Sequence, residues 1–169
     1  MAEKLCSLRK KGGGANISGD LSGLVPVMTS ATAPSGEVIK SSEFNNYQAW
    51  KAFNPFQSGG WIPRSANPLY VTGDWVGYVL TSSKKAKIVT ILSIGTTVEN
   101  TIYFKIQGYN GSTWIDVCGN QSLTVPVNTT VCKAVTLNNS SNYTRYRLYI
   151  TANSTSGSTN GLKLQFYGE

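Results

Sequence analysis

The sequence predicts an all-β protein, an antiparallel jelly-roll β-sandwich preceded by an extended N-terminal arm. Three observations predict it. From about residue 25 onward, apolar and β-branched runs alternate with polar turns at short spacing. Charged residues make up only 14% of the chain and Ser, Thr, Asn and Gly take their place, which suits strands and turns better than exposed helices. The one helix-like stretch, residues 47–53, is short.

The chain has 169 residues, enough for one domain and a tail. Residues 1–24 form the arm. Arg9, Lys10 and Lys11 are followed by Gly12, Gly13 and Gly14, and three consecutive glycines hold neither helix nor strand unaided. Residues 25–169 form the sandwich. The β-like runs are 76–80 (VGYVL), 87–94 (KIVTILSI) and 101–109 (TIYFKIQGY), the last alternating with period 2. Asn110-Gly111 then marks a hairpin. Runs at 114–118, 122–127, 131–137, 146–151 and 162–167 complete a set that reads as a sandwich or jelly roll.

The chemistry that is missing narrows the function. The chain has no histidine, which removes Ser-His-Asp and Cys-His catalysis and histidine metal sites. Eight acids (Glu3, Asp20, Glu37, Glu43, Asp74, Glu99, Asp116 and Glu169) form no local pair of the kind a glycosidase needs. Gly12–Gly14 lacks the Lys-Ser/Thr that a phosphate loop requires. The expectation is a protein without catalytic activity. The net charge of +7 is concentrated in the arm and at Lys84, Lys85 and Lys87, and the rest is scattered. That distribution points to an arm docking on an acidic protein surface rather than to nucleic acid, with a merely solvated tail as the alternative. Three cysteines, Cys6, Cys118 and Cys132, fit neither a disulfide framework nor zinc spacing. Cys118 and Cys132 read either as a pair on neighbouring strands or as small core residues. No apolar run reaches membrane-spanning length, and the N-terminus has no apolar stretch of a secretory signal, so synthesis in the cytoplasm is expected.

The positive signal is aromatic. Four tryptophans and nine tyrosines accompany abundant Asn and Thr. Sugars stack their C–H faces on rings while polar side chains bond the hydroxyls. Trp50, Trp75 and Trp114 read as core packing, whereas Tyr47, Tyr70 and Trp61 stand between core and ligand contact.

The segment MTSATAPSGEVIKSSEFNNYQAWKAFN, with GGWIP at 59–63, DWVGYVL at 74–80, FKIQGYNGSTWIDV at 104–117, TRYRLYIT and LKLQFYG, resembles the discoidin or coagulation factor V/VIII C-type domain, a galactose-binding-like fold. The likeness runs in order through residues 26–168. It implies a jelly roll whose loops at one end bind a ligand, most often a terminal sugar, and it would put Tyr47, Trp61 and Arg64 near that end. The family's structural calcium lies at the turn where this chain has Asn54, followed by Pro55, in place of an acid. The style of the segments is similar to discoidin-like domains of bacteriophage virion proteins. This implies a decoration, fibre or tail component, made in the host cytoplasm, released by lysis and oligomeric within an assembly. Its arm, with Arg9, Lys10 and Lys11, would hold other virion proteins while the sandwich meets host or mucosal glycans. A purely structural subunit and a bacterial carbohydrate-binding module are the alternatives.

Overall fold

The computed structural model describes residues 21–64, 69–95, 98–153 and 159–169. The basic cluster Arg9, Lys10 and Lys11 and the first cysteine, Cys6, lie outside the described residues.

Nine strands and one 3-10 helix are present among them: β1 Ser22–Gly23, β2 Glu37–Lys40, the helix Ala49–Phe53, β3 Trp75–Lys84, β4 Ala86–Gly95, β5 Asn100–Tyr109, β6 Trp114–Val125, β7 Thr130–Thr136, β8 Tyr143–Asn153 and β9 Thr159–Gly168. They form two antiparallel sheets, one ordered β1-β9-β4-β7 and the other β2-β3-β8-β5-β6. Strand period 2 sends alternate side chains between the sheets. Val76, Tyr78 and Leu80 enter the core from β3, Tyr146, Leu148 and Ile150 from β8, and Leu162, Leu164 and Phe166 from β9. The 3-10 helix contributes Ala49, Ala52 and Phe53, and Phe53 meets Tyr78 at 5.6 Å between ring centroids.

Two buried tyrosines pin the layers by their hydroxyls. Tyr146 Oη donates to Lys84 O (2.7 Å) and accepts from Ala86 N (3.0 Å) and Asn139 Nδ2 (2.9 Å), tying β8 to the β3–β4 turn. Tyr78 Oη donates to Ser35 O. Burial raises the pKa of both phenols, more than their hydrogen bonds lower it.

Several expectations shift. The runs at 114–118 and 122–127 are one strand, β6, because irregular pairing with β5 carries the ladder through Gly119 and Asn120. Two short strands carried no sequence signal. β2 pairs with β3 (Val38 opposite Tyr78), and β1 pairs Ser22 with Gly168 inside the segment assigned to the arm. The Asn110-Gly111 hairpin does form. Asn110 Oδ1 accepts from Ser112 N (3.0 Å) and Thr113 N (2.8 Å), and Gly111 takes φ +102°. Cys118 is a buried free thiol, so the pairing with Cys132 does not occur, and burial raises the Cys118 pKa.

Candidate functional site

At one end of the sandwich β3 begins and β8 finishes, and the 41–47 segment is tied to the start of β3 by Ser41 N to Trp75 O (2.9 Å). Backbone bonds bring the 41–47 and 61–64 segments together: Phe44 N to Ile62 O (2.9 Å) and Ile62 N to Tyr47 O (3.3 Å). The turn before β3 is closed by Asp74, whose Oδ2 accepts from Val71 N (2.8 Å) while Asp74 N bonds Val71 O (3.0 Å). Gly73 at φ +100° permits that turn. The same turn grips β8 through Gly73 N to Ile150 O (3.0 Å), Ile150 N to Asp74 O (2.8 Å) and Thr72 Oγ1 to Thr151 O (2.6 Å).

Arg64 joins this frame. Its Nη2 donates to Asp74 Oδ1 at 2.5 Å, with the Asp74 side chain nearly buried (5% exposed) and the Arg64 side chain 39% exposed. The carboxylate thus holds the guanidinium at the surface by a charge-assisted bond. Arg64 Nε is buried with no hydrogen-bond partner, and so are both polar atoms of the Asn153 amide, two residues past the Thr72–Thr151 contact. Buried polar atoms without partners are costly and rare.

The three residues singled out from sequence separate here. Arg64 is at the loop end and presents a cation. Tyr47 is half-buried against the core beside it. Trp61 is a correction: it is fully buried, donates Nε1 to Ser42 O (2.7 Å) and packs on Tyr70 at 5.8 Å, so neither ring face is open to a sugar. A tryptophan next to Gly59-Gly60 reads as a loop residue in sequence. Its carbonyl and amide instead pair with Leu162 of β9, which draws it inside. Tyr70 is buried too, its hydroxyl donating to Trp61 O (3.0 Å).

The reverse error concerns Trp75 and Trp114, read from sequence as core. Both are half-buried on the outer face of the five-stranded sheet, where Trp75 follows Asp74 directly and points the other way.

The turn at Asn54 does not fit calcium. Asn54 is buried, and its Nδ2 donates to Met28 O (2.7 Å) while Oδ1 accepts from Phe56 N (2.9 Å) and Gln57 N (3.2 Å). The Lys163 ammonium, itself buried on β9, donates to Gln57 O (2.6 Å) and Pro55 O (3.3 Å). A cation and an amide donor already satisfy these carbonyls, and no cluster of three or more acidic, Cys or His residues exists among the described residues.

No protein-family model and no curated protein matches the chain. Solved structures do. A selenomethionine-labelled mutant of chitosan-binding module 1, from a chitosanase/glucanase of Paenibacillus sp. IK-5, superposes with a TM-score of 0.54 at 18% identity, over 82% of this chain and 98% of that one. The family 32 carbohydrate-binding module of C. perfringens NanJ, in complex with galactose, gives 0.56 at 12% identity, over 78% and 93%. Allantoicase gives 0.50 at 14%, over 79% of this chain and 41% of that chain. The fold is therefore that of the galactose-binding-like, discoidin-like sandwich found in family 32 carbohydrate-binding modules. The same architecture also occurs within an enzyme, so the fold by itself leaves function to the site.

Proposed function

We propose that this protein is a non-catalytic carbohydrate-binding module that takes a sugar at the loop end, with Arg64 donating to hydroxyls and Tyr47 bordering the ring. The observation that carries the reading is the Arg64–Asp74 pair, which fixes a guanidinium at the surface with its own Nε unpartnered. A buried carboxylate that orients a surface arginine preorganises it, which lowers the entropy lost when a hydroxyl-rich ligand binds. Chitosan and galactose, the ligands of two of the neighbours, belong to this chemistry.

The setting we propose is a virion, with Arg9, Lys10 and Lys11 holding other virion proteins and the sandwich facing host or mucosal glycans, in an oligomeric assembly made in the host cytoplasm. The resemblance to domains of virion proteins supports this setting; a bacterial carbohydrate-binding module, the alternative, would use the same site. A glycan array with the whole chain tests the binding. Signal on a defined set of sugars, lost in Arg64→Gln with an unchanged fold, is the expected outcome. An array without signal would return the protein to a structural subunit.

A further inference from the structure

The outer face of an antiparallel sheet that meets water is normally polar. Here that face of the five-stranded sheet carries a ladder of rings around one cation. The Arg147 guanidinium carbon lies 4.1 Å from the Trp114 ring centroid, 5.2 Å from Trp75 and 5.0 Å from Tyr149. Arg145 covers Tyr109 at 5.0 Å, and Tyr109 meets Trp114 at 5.2 Å. Register explains the assembly, since Trp75 is opposite Tyr149, Tyr109 is opposite Trp114, and Arg147 lies between Gly77 and Gln107. Gly77 is required there, because a Cβ would come within 2.8 Å of Arg147 Cβ and closer still to Tyr146 O.

The polar groups are wired to the same cation. Arg147 Nε donates to Gln107 Oε1 (2.8 Å), Gln107 Nε2 to Asp116 Oδ1 (2.7 Å) and Lys105 Nζ to Asp116 Oδ2 (2.8 Å). Burial lowers the Arg147 pKa, against opposing effects of Tyr149 and Asp116. The face is therefore rigid before any ligand arrives. It carries Arg145, Arg147 and Lys105 against Asp116, a net positive charge.

We propose that this face is a second ligand surface, distinct from the loop end, and that it takes an extended acidic polysaccharide bearing uronate or sulfate groups. Ring edges, and the faces that the guanidinium groups leave open, accept the C–H surfaces of successive sugars, and the patch runs roughly 13 Å along β8 from Tyr149 to Arg145, taking about 3.3 Å per residue. The cations receive the acidic substituents. Asp116, which retains lone pairs beyond those bonded by Lys105 and Gln107, accepts hydroxyls. That arrangement favours a polyhydroxyl ligand over single-stranded nucleic acid, because Arg147 covers the Trp114 face on which a base would stack, whereas a sugar also contacts ring edges.

The test titrates the full chain with an oligogalacturonate, a sulfated oligosaccharide and their neutral counterparts, following tryptophan fluorescence and heat. The account expects preference for an acidic chain, weakening with salt, and a tenfold or greater loss in Arg147→Gln. Arg145→Gln, at an exposed position, provides a second variant that leaves the ladder's centre intact, with a loss of severalfold. Arg64→Gln should retain acidic binding. Absence of acidic-glycan binding, loss in Arg64→Gln alone, or competition by a single-stranded oligonucleotide at higher affinity would each overturn the proposal. Loss in Arg64→Gln alone would do so while leaving the loop-end site standing.

Discussion

Replacing Lys163 by methionine removes a buried ammonium and keeps most of the stem's volume. Lys163 is 7% exposed, and its Nζ bonds Gln57 O at 2.6 Å and Pro55 O at 3.3 Å. A hydrogen bond to a charged group contributes about 1.5–3 kcal/mol, and the longer contact adds little. Burying a charge costs free energy that methionine does not incur, which offsets part of the loss. The net destabilisation is about 2 kcal/mol. For a chain of this size that lowers the melting midpoint by roughly 4–8 °C. Differential scanning calorimetry with and without calcium or EDTA reads it. The wild-type midpoint should be indifferent to both additions, because the ammonium already serves the turn that a calcium ion would gather. A Lys163→Met midpoint equal to wild type, or a wild-type midpoint raised by calcium, would refute the reasoning.

Trp61→Ala should cost about 3–5 kcal/mol in urea unfolding, as truncation of a fully buried tryptophan. Trp114→Ala should cost only about 1–2 kcal/mol, since it loses a guanidinium contact and ring pairs at a half-exposed site. Gly77→Ala should destabilise by about 1–3 kcal/mol through overpacking against Tyr146 O and Arg147, again in urea. Acid lowers stability through Glu43 and Asp116. Burial raises both pKa values, but for Glu43 the Ala49 N–H with Lys40, and for Asp116 Lys105 with Gln107, outweigh it and leave them depressed. Depressed carboxylates contribute stability above their unfolded pKa and lose it as pH falls through the folded one. The melting midpoint should therefore hold from neutral pH to about 5 and decline below about 4, and less steeply in Asp116→Asn.

The long strands were legible because their apolar residues alternate or run unbroken, as in β4 and β5. β1 and β2 were not, being two and four residues long and fixed by partners far along the chain. At the candidate site, Arg64 and Tyr47 came from the family resemblance, which puts both on loops near one end, and not from any local pattern of residues. Tryptophan is ambiguous in sequence because it serves core and surface alike. Trp61 was drawn inside by Leu162 and Trp75 and Trp114 were turned outside by strand parity, and neither pairing is local. The Asp74 carboxylate that orients Arg64 is ten residues away, and the Asn153 amide is brought in by β8. The Lys163 ammonium under the Asn54 turn comes from more than a hundred residues downstream.

Amide and side-chain NMR shift mapping, with the strongest sugar from the array, tests the account most directly. The account predicts saturable shifts centred on Arg64, Thr72, Asp74 and Asn153, with Arg64 Nε–H among the largest. Saturable binding whose shifts leave that end untouched, or no shift with any sugar, would contradict it.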